Sequence, residues 1–116
     1  MKLRKTVLSL AVLLSTLLAA TGCRSHVIKV SLTNTSAQSV SMIEVAYPGA
    51  SFGVNTLAPG KTFQYIIKPV EDGILKIQFA DAKGTTHKTY GPEVKKGQEG
   101  SIEIMLTQDS AVTNSR

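Results

Sequence analysis

The 116-residue sequence holds one cysteine, Cys23, so no internal disulfide can staple its fold. It has no tryptophan, and aromatic residues make up only 5%. A carbohydrate platform built on exposed aromatic faces is therefore disfavoured. The two histidines, His26 and His87, have no cysteine or carboxylate at metal-ligand spacing, so solvated strand positions and no bound metal are expected. No G-x-S-x-G turn is present for a serine nucleophile. Downstream of Cys23 no window sustains helical periodicity, and no run of one charge sign accumulates.

What is present begins with polarity in sequence order. Lys2, Arg4 and Lys5 precede an apolar stretch from Val7 to Ala20, which ends in small residues before Cys23. That order is the layout of a secretory signal, expected to be helical over residues 1–22. The stretch is shorter than the roughly 20 residues that span a bilayer and lacks a charged stop-transfer flank, so a removable segment is expected. Removal leaves 94 residues, enough for one small domain. Three of the thirteen basic residues lie in the signal, which leaves ten against eight acidic ones. A balance of +2, with Lys95–Lys96 as the one adjacent basic pair in that part, is no nucleic-acid footprint.

Ala20-Thr21-Gly22-Cys23 resembles the lipobox of bacterial lipoproteins. The resemblance implies cleavage between Gly22 and Cys23, with a diacylglyceryl group on the cysteine sulfur and an N-acyl chain on its new amino terminus. The family favours leucine where Ala20 stands, and the small residues Ala20 and Gly22 would also suit an ordinary signal peptidase. Acylation accounts for both the position and the solitude of Cys23, whereas a leftover thiol accounts for neither. Several acyl chains, at roughly 0.8 kcal/mol per buried methylene, anchor a protein stably where one chain is marginal. No cofactor beyond this covalent lipid is expected. By the same resemblance, Arg24 after the cysteine fits the outer membrane, facing the periplasm, if the envelope is Gram-negative.

Residues 23–25 then form a short tether, 26–107 a β-sandwich domain and 108–116 a polar tail expected to fray. Ile28, Val30 and Leu32 alternate with polar residues, as do Phe63, Tyr65 and Ile67, then Leu75, Ile77 and Phe79, then Ile102, Ile104 and Leu106. In "SVSMIEVAY", Ile43, Val45 and Tyr47 share a face, but Val40 falls three residues before Ile43, so a bulge near Met42 is expected. "THKTY" alternates less clearly and is expected at an open sheet edge, which could pair with a partner's strand. Turn stretches rich in Gly, Pro and Asp separate these runs. Six to seven short strands at near-regular spacing predict an all-β, antiparallel sandwich.

Asn34-Thr35-Ser36, the Val40–Val45 run and Leu57-Ala58-Pro59-Gly60-Lys61 resemble small immunoglobulin-like domains of bacterial envelope proteins, including the FxLYD type. That resemblance implies a binding or spacing module with no catalytic residues to carry over. Asn34-Thr35-Ser36 also matches a glycosylation acceptor, and the turn reading is preferred. Pro59-Gly60-Lys61-Thr62 looks like the end of a phosphate loop, but its first glycine would fall at Asn55 and a strand follows Lys61. Glu71 and Asp72 are adjacent and lead into a glycine turn, which solubility explains without acid/base chemistry.

The segment Tyr47–Gly53, with Tyr47, Pro48 and Phe52 around a flexible loop, is the best candidate for contact with a partner; the alternative is that both rings turn inward and cap the core, which is favoured for Tyr47 and evenly balanced for Phe52. The sequence thus predicts a membrane-anchored accessory module contacting an unidentified envelope protein. A small-ligand carrier is the alternative, and a small hydrolase ranks below both.

Overall fold

The computed structural model describes residues 26–116. The expected signal over residues 1–22, Cys23 and the rest of the expected 23–25 tether lie outside the described residues. Eight strands follow in order: β1 Ile28–Asn34, β2 Val40–Tyr47, β3 Ala50–Leu57, β4 Thr62–Ile67, β5 Gly73–Ala80, β6 Thr86–Val94, β7 Gly100–Leu106 and β8 Ala111–Ser115. They form two four-stranded sheets, ordered β4-β1-β7-β8 and β3-β2-β5-β6. All neighbours are antiparallel except β1 and β7, which run parallel. The predicted all-β sandwich is the observed one, with eight strands instead of six or seven.

The core follows from the period of two. Ile28, Val30 and Leu32 pair across the ladder with Ile102, Ile104 and their neighbours, all pointing inward. Val45 and Ile77 face them from the other sheet, joined by Leu75, Phe79 and Val94. Full burial of each such side chain contributes about 1.5–3 kcal/mol. Lys29, Glu44, Lys76, Gln78, Lys88 and Glu103 stand on the outer faces.

Alternation of strand directions gathers the connections at two ends. The near end holds His26, the Pro48–Gly49 turn, residues 68–72, residues 95–99 and Arg116. The far end holds residues 35–39, 58–61, 81–85 and 107–110.

Two additional strands account for the difference in count. The tail expected to fray instead contains β8, whose Ala111, Val112, Thr113, Asn114 and Ser115 pair with β7, and Arg116 continues the pairing through two backbone bonds to Ser101. Thr107 and Ser110 bond through backbone and side chains and turn the chain into it. An edge strand needs few inward apolar residues, and Ala111 is the one hydrophobic residue of β8 that is buried, so alternation gave no signal there. The sandwich thus extends past residue 107. The other addition, β3, replaces the expected loop.

The bulge near Met42 is present. Met42 adopts φ 51, and the β2–β5 register shifts between Ser41 and Glu44, which brings Val40, Ile43 and Val45 all inward. On the opposite side of β2, Leu57 pairs with Val40 and Val54 with Ile43, so β3 carries the same three-residue step.

Candidate functional site

Tyr47 closes β2, Pro48 and Gly49 form a two-residue turn, and the chain enters β3 at Ala50. Gly49 is required there: its φ is 102, and a Cβ would collide with Val70 Cγ2. Phe52 pairs with Val45, is 8% exposed and stacks on Tyr65 at 4.4 Å between centroids. Tyr47 also packs on the core, and burial, with Tyr65 nearby, raises its hydroxyl pKa above the ordinary 10.0. The candidate recognition loop of Tyr47, Pro48 and Phe52 is therefore a hairpin and not a flexible loop, and the rings of Tyr47 and Phe52 take the inward alternative. Pro48, Gly49 and Gly53 together read as one long turn, although Gly53 lies within β3 opposite Glu44.

At the far end, a cleft of about 320 Å³ is lined by Ser36, Ser39, Asp81, Lys83, His87 and Asp109 among others. His87 Nε2 lies 2.8 Å from Asp81 Oδ2, and its ring packs on Phe79. The other Asp81 oxygen accepts the Lys83 and Thr85 backbone N–H groups at 2.9 and 3.0 Å. The bond from His87, then those from the backbone, hold the Asp81 carboxyl below its ordinary 3.8. Every interaction of Asp81 thus shapes the β5–β6 turn. Among the described residues no hydroxyl hydrogen-bonds His87, and the Ser36 hydroxyl is engaged by Asn34 Oδ1 at 2.6 Å. The pair clamps a turn. His87 is thus a partly buried, paired residue and not the solvated one expected, whereas His26 is 63% exposed and meets Glu99 at 2.8 Å. Among the described residues no three metal-ligating side chains gather.

The other singled-out motifs also have structural roles. Asn34 is fully buried: its Oδ1 accepts the Ser36 N–H, and its Nδ2 donates to the Gln38 and Leu57 carbonyls at 2.8 and 2.9 Å. The turn reading of Asn34-Thr35-Ser36 holds. Lys61 N–H closes a turn on the Ala58 carbonyl, with Pro59 second and Gly60, φ 75, third, the type II pattern. Asp72 Oδ1 accepts the Lys96 N–H at 2.9 Å and ties two near-end turns together.

Surface chemistry of a different kind gathers at the flanks. Each sheet has two edges, and the four edge strands are β3, β4, β6 and β8. "THKTY" is part of β6, an edge as expected, but Lys88, Pro92 and Glu93 guard it. Beside it, Ala111 N–H reaches across to Thr89 Oγ1 at 3.4 Å. The opposite flank, β3 with β4, carries no charge within either strand. There Tyr65 and Ile66 are 41% and 58% exposed, and Lys29, Gln64, Tyr65 and Ile66 line a shallow groove. Asn34 N–H bonds the Lys61 carbonyl, which fixes the phase of the β1–β4 ladder. Alternate residues Phe63, Tyr65 and Ile67 then bond β1, and the N–H and C=O groups of Thr62, Gln64 and Ile66 point outward. Sequence reasoning placed Tyr65 inward on β4 and had no signal for which edge the strand order leaves open.

No family model matches the chain, and no curated protein matches it. Among solved structures, an NMR structure of a protein from Eubacterium rectale is similar, with a TM-score of 0.59, 16% identity, and coverage of 78% of this chain and 93% of that one. At that identity the likeness concerns the β-sandwich fold alone.

Proposed function

We propose that the chain is a lipid-anchored protein of a bacterial envelope that acts as a non-catalytic contact module. The reading joins the basic, apolar and small-residue order before Cys23 to a sandwich whose β1 begins only five residues later. That proximity is the observation that carries it. At about 3.5 Å per residue, Arg24 and Ser25 allow a reach of about 10 Å between a membrane-held cysteine and the near end of the domain. The far end and both flanks then face away from or alongside the membrane, where a partner can reach them.

With the Tyr47–Gly53 segment in a hairpin, the remaining means of contact is an open sheet edge, which can accept a partner's strand. The interior is filled by the side chains from Ile28 to Leu106, and the concavities found open at the surface, which gives the small-ligand alternative no support. Membrane fractionation tests the anchoring: Cys23→Ala is expected to shift the protein into the soluble fraction. A variant that stays with the membrane would remove the lipid from the proposal.

A further inference from the structure

We infer that the outer edge of β4 receives an extended partner segment as an added strand, and that this segment is apolar in its middle and acidic at both ends. The inference rests on the contact-module reading and specifies its surface and partner chemistry.

Three observations converge on β4. Its outward N–H and C=O groups at Thr62, Gln64 and Ile66 form a template at the spacing a further strand requires. Each face of this edge carries one accessible apolar side chain, Ile66 on the outer face beside Thr62 and Gln64, and Tyr65 at the seam between sheets. The charges next to the strand are positive: Lys61 precedes it, Lys68 follows it, and Lys29 pairs with Ile66 on the outer face, whereas Glu71 and Asp72 come later in the connection to β5 and Glu103 lies two strands away, opposite Ser31. No aspartate or glutamate occurs on β1 or β4.

The other edges lack this combination. β6 is guarded by Lys88, Pro92 and Glu93, and β8 lends a backbone N–H to Thr89 across the flank. β3 exposes no large hydrophobic side chain.

Charge also selects the occupant. In an antiparallel pairing of two copies centred on Gln64, Lys68 of one copy would lie beside Lys61 of the other at both ends of the added pair. Like charges so placed oppose self-association. Lys61 and Lys68 lie seven residues apart, about 24 Å along an extended chain. A partner segment of eight residues with terminal carboxylates spans that distance and meets an ammonium group at each end. Consecutive apolar side chains within it point to opposite faces, so that one covers Ile66 on the outer face and its neighbour covers Tyr65 at the seam.

The test uses the full-length protein in detergent micelles and two synthetic eight-residue peptides with alternating threonine and valine between their ends, one with glutamate at each end and one with lysine. Amide NMR titration and hydrogen exchange locate binding. The glutamate-ended peptide is expected to shift and protect the Thr62, Gln64 and Ile66 amides and to bind about tenfold more tightly than the lysine-ended one, a difference that shrinks with added salt. Gln64→Pro, which removes one outward N–H at an edge position that tolerates proline, is expected to abolish binding with the rest of the spectrum retained. Ile66→Glu provides a second variant with the same expected loss. Binding that maps to β3, β6 or β8, equal affinity for the two peptides, concentration-dependent dimerisation through β4, or no binding would each overturn the inference. None of these results bears on the fractionation of Cys23→Ala, so failure at the edge is distinguishable from failure of the anchoring.

Discussion

The rings of Phe52 and Tyr65 lie stacked, 4.4 Å between centroids and 20° from parallel, across the flank where β3 of one sheet meets β4 of the other. Phe63 approaches the same ring at 6.3 Å. Because Phe52 is 8% exposed, truncation should open a cavity at this seam. Phe52→Ala is expected to destabilise the domain by about 3–5 kcal/mol in urea unfolding. A loss under about 1 kcal/mol would return the ring to the surface.

Asn34 satisfies one amide and two carbonyls, of which the Leu57 carbonyl is buried, and it joins the β1–β2 turn to the end of β3. Asn34→Ala should leave these groups unpaired and cost about 3 kcal/mol. Asn34→Asp, which keeps the acceptor but loses both donated bonds, should also lower the melting temperature. An aspartate variant as stable as the parent would contradict the roles assigned to Nδ2.

Met42 is a non-glycine residue at φ 51 and is 74% exposed, so its side chain contributes little to offset backbone strain. Left-handed conformation costs an L-residue about 1–2 kcal/mol, partly offset on substitution by the entropy of glycine. Met42→Gly is accordingly expected to raise the melting temperature, by roughly 1 kcal/mol of added stability. A fall would mean that the Met42 side chain holds the bulge in place.

The Asp81 carboxyl has its pKa lowered below 3.8 in the folded chain, first by His87 and then by the Thr85 and Lys83 amides. A folded value beneath the unfolded one stabilises at pH above the unfolded value, and that stability drains away as pH falls through the folded one. Asp81→Asn should therefore lower the melting temperature at pH 7, and the gap between variant and parent should narrow once pH drops below 3.8. A gap independent of pH would assign the Asp81 effect to geometry alone.

Alternation revealed the strands that bury a full stripe. Ile28–Val30–Leu32, Leu75–Ile77–Phe79 and Ile102–Ile104–Leu106 each read directly as half-buried strands, and each is one. The step from Val40 to Ile43 predicted a bulge that the Met42 backbone makes. The same step between Val54 and Leu57 was the available sign of β3, because β3 pairs with β2 without a register shift and so repeats its three-residue step, whereas β5 meets the bulge with a shift in register. Gly53 and the Pro48–Gly49 turn obscured it. β8 was illegible for a different reason, since an edge strand that buries Ala111 alone has almost no hydrophobic pattern to display. The openness of the β4 edge depends on strand order, and long-range pairing such as Ile28 with Gly100 leaves no local trace in the residues concerned.

The proposed anchoring through Cys23 sets where the contact module would act, and mass spectrometry of the N-terminal peptide from native membranes tests it most directly. The expected peptide begins at Cys23 and carries the mass of a diacylglyceryl group and an N-linked acyl chain. A peptide that begins upstream of Cys23, or one whose Cys23 bears an unmodified thiol, would contradict the proposal.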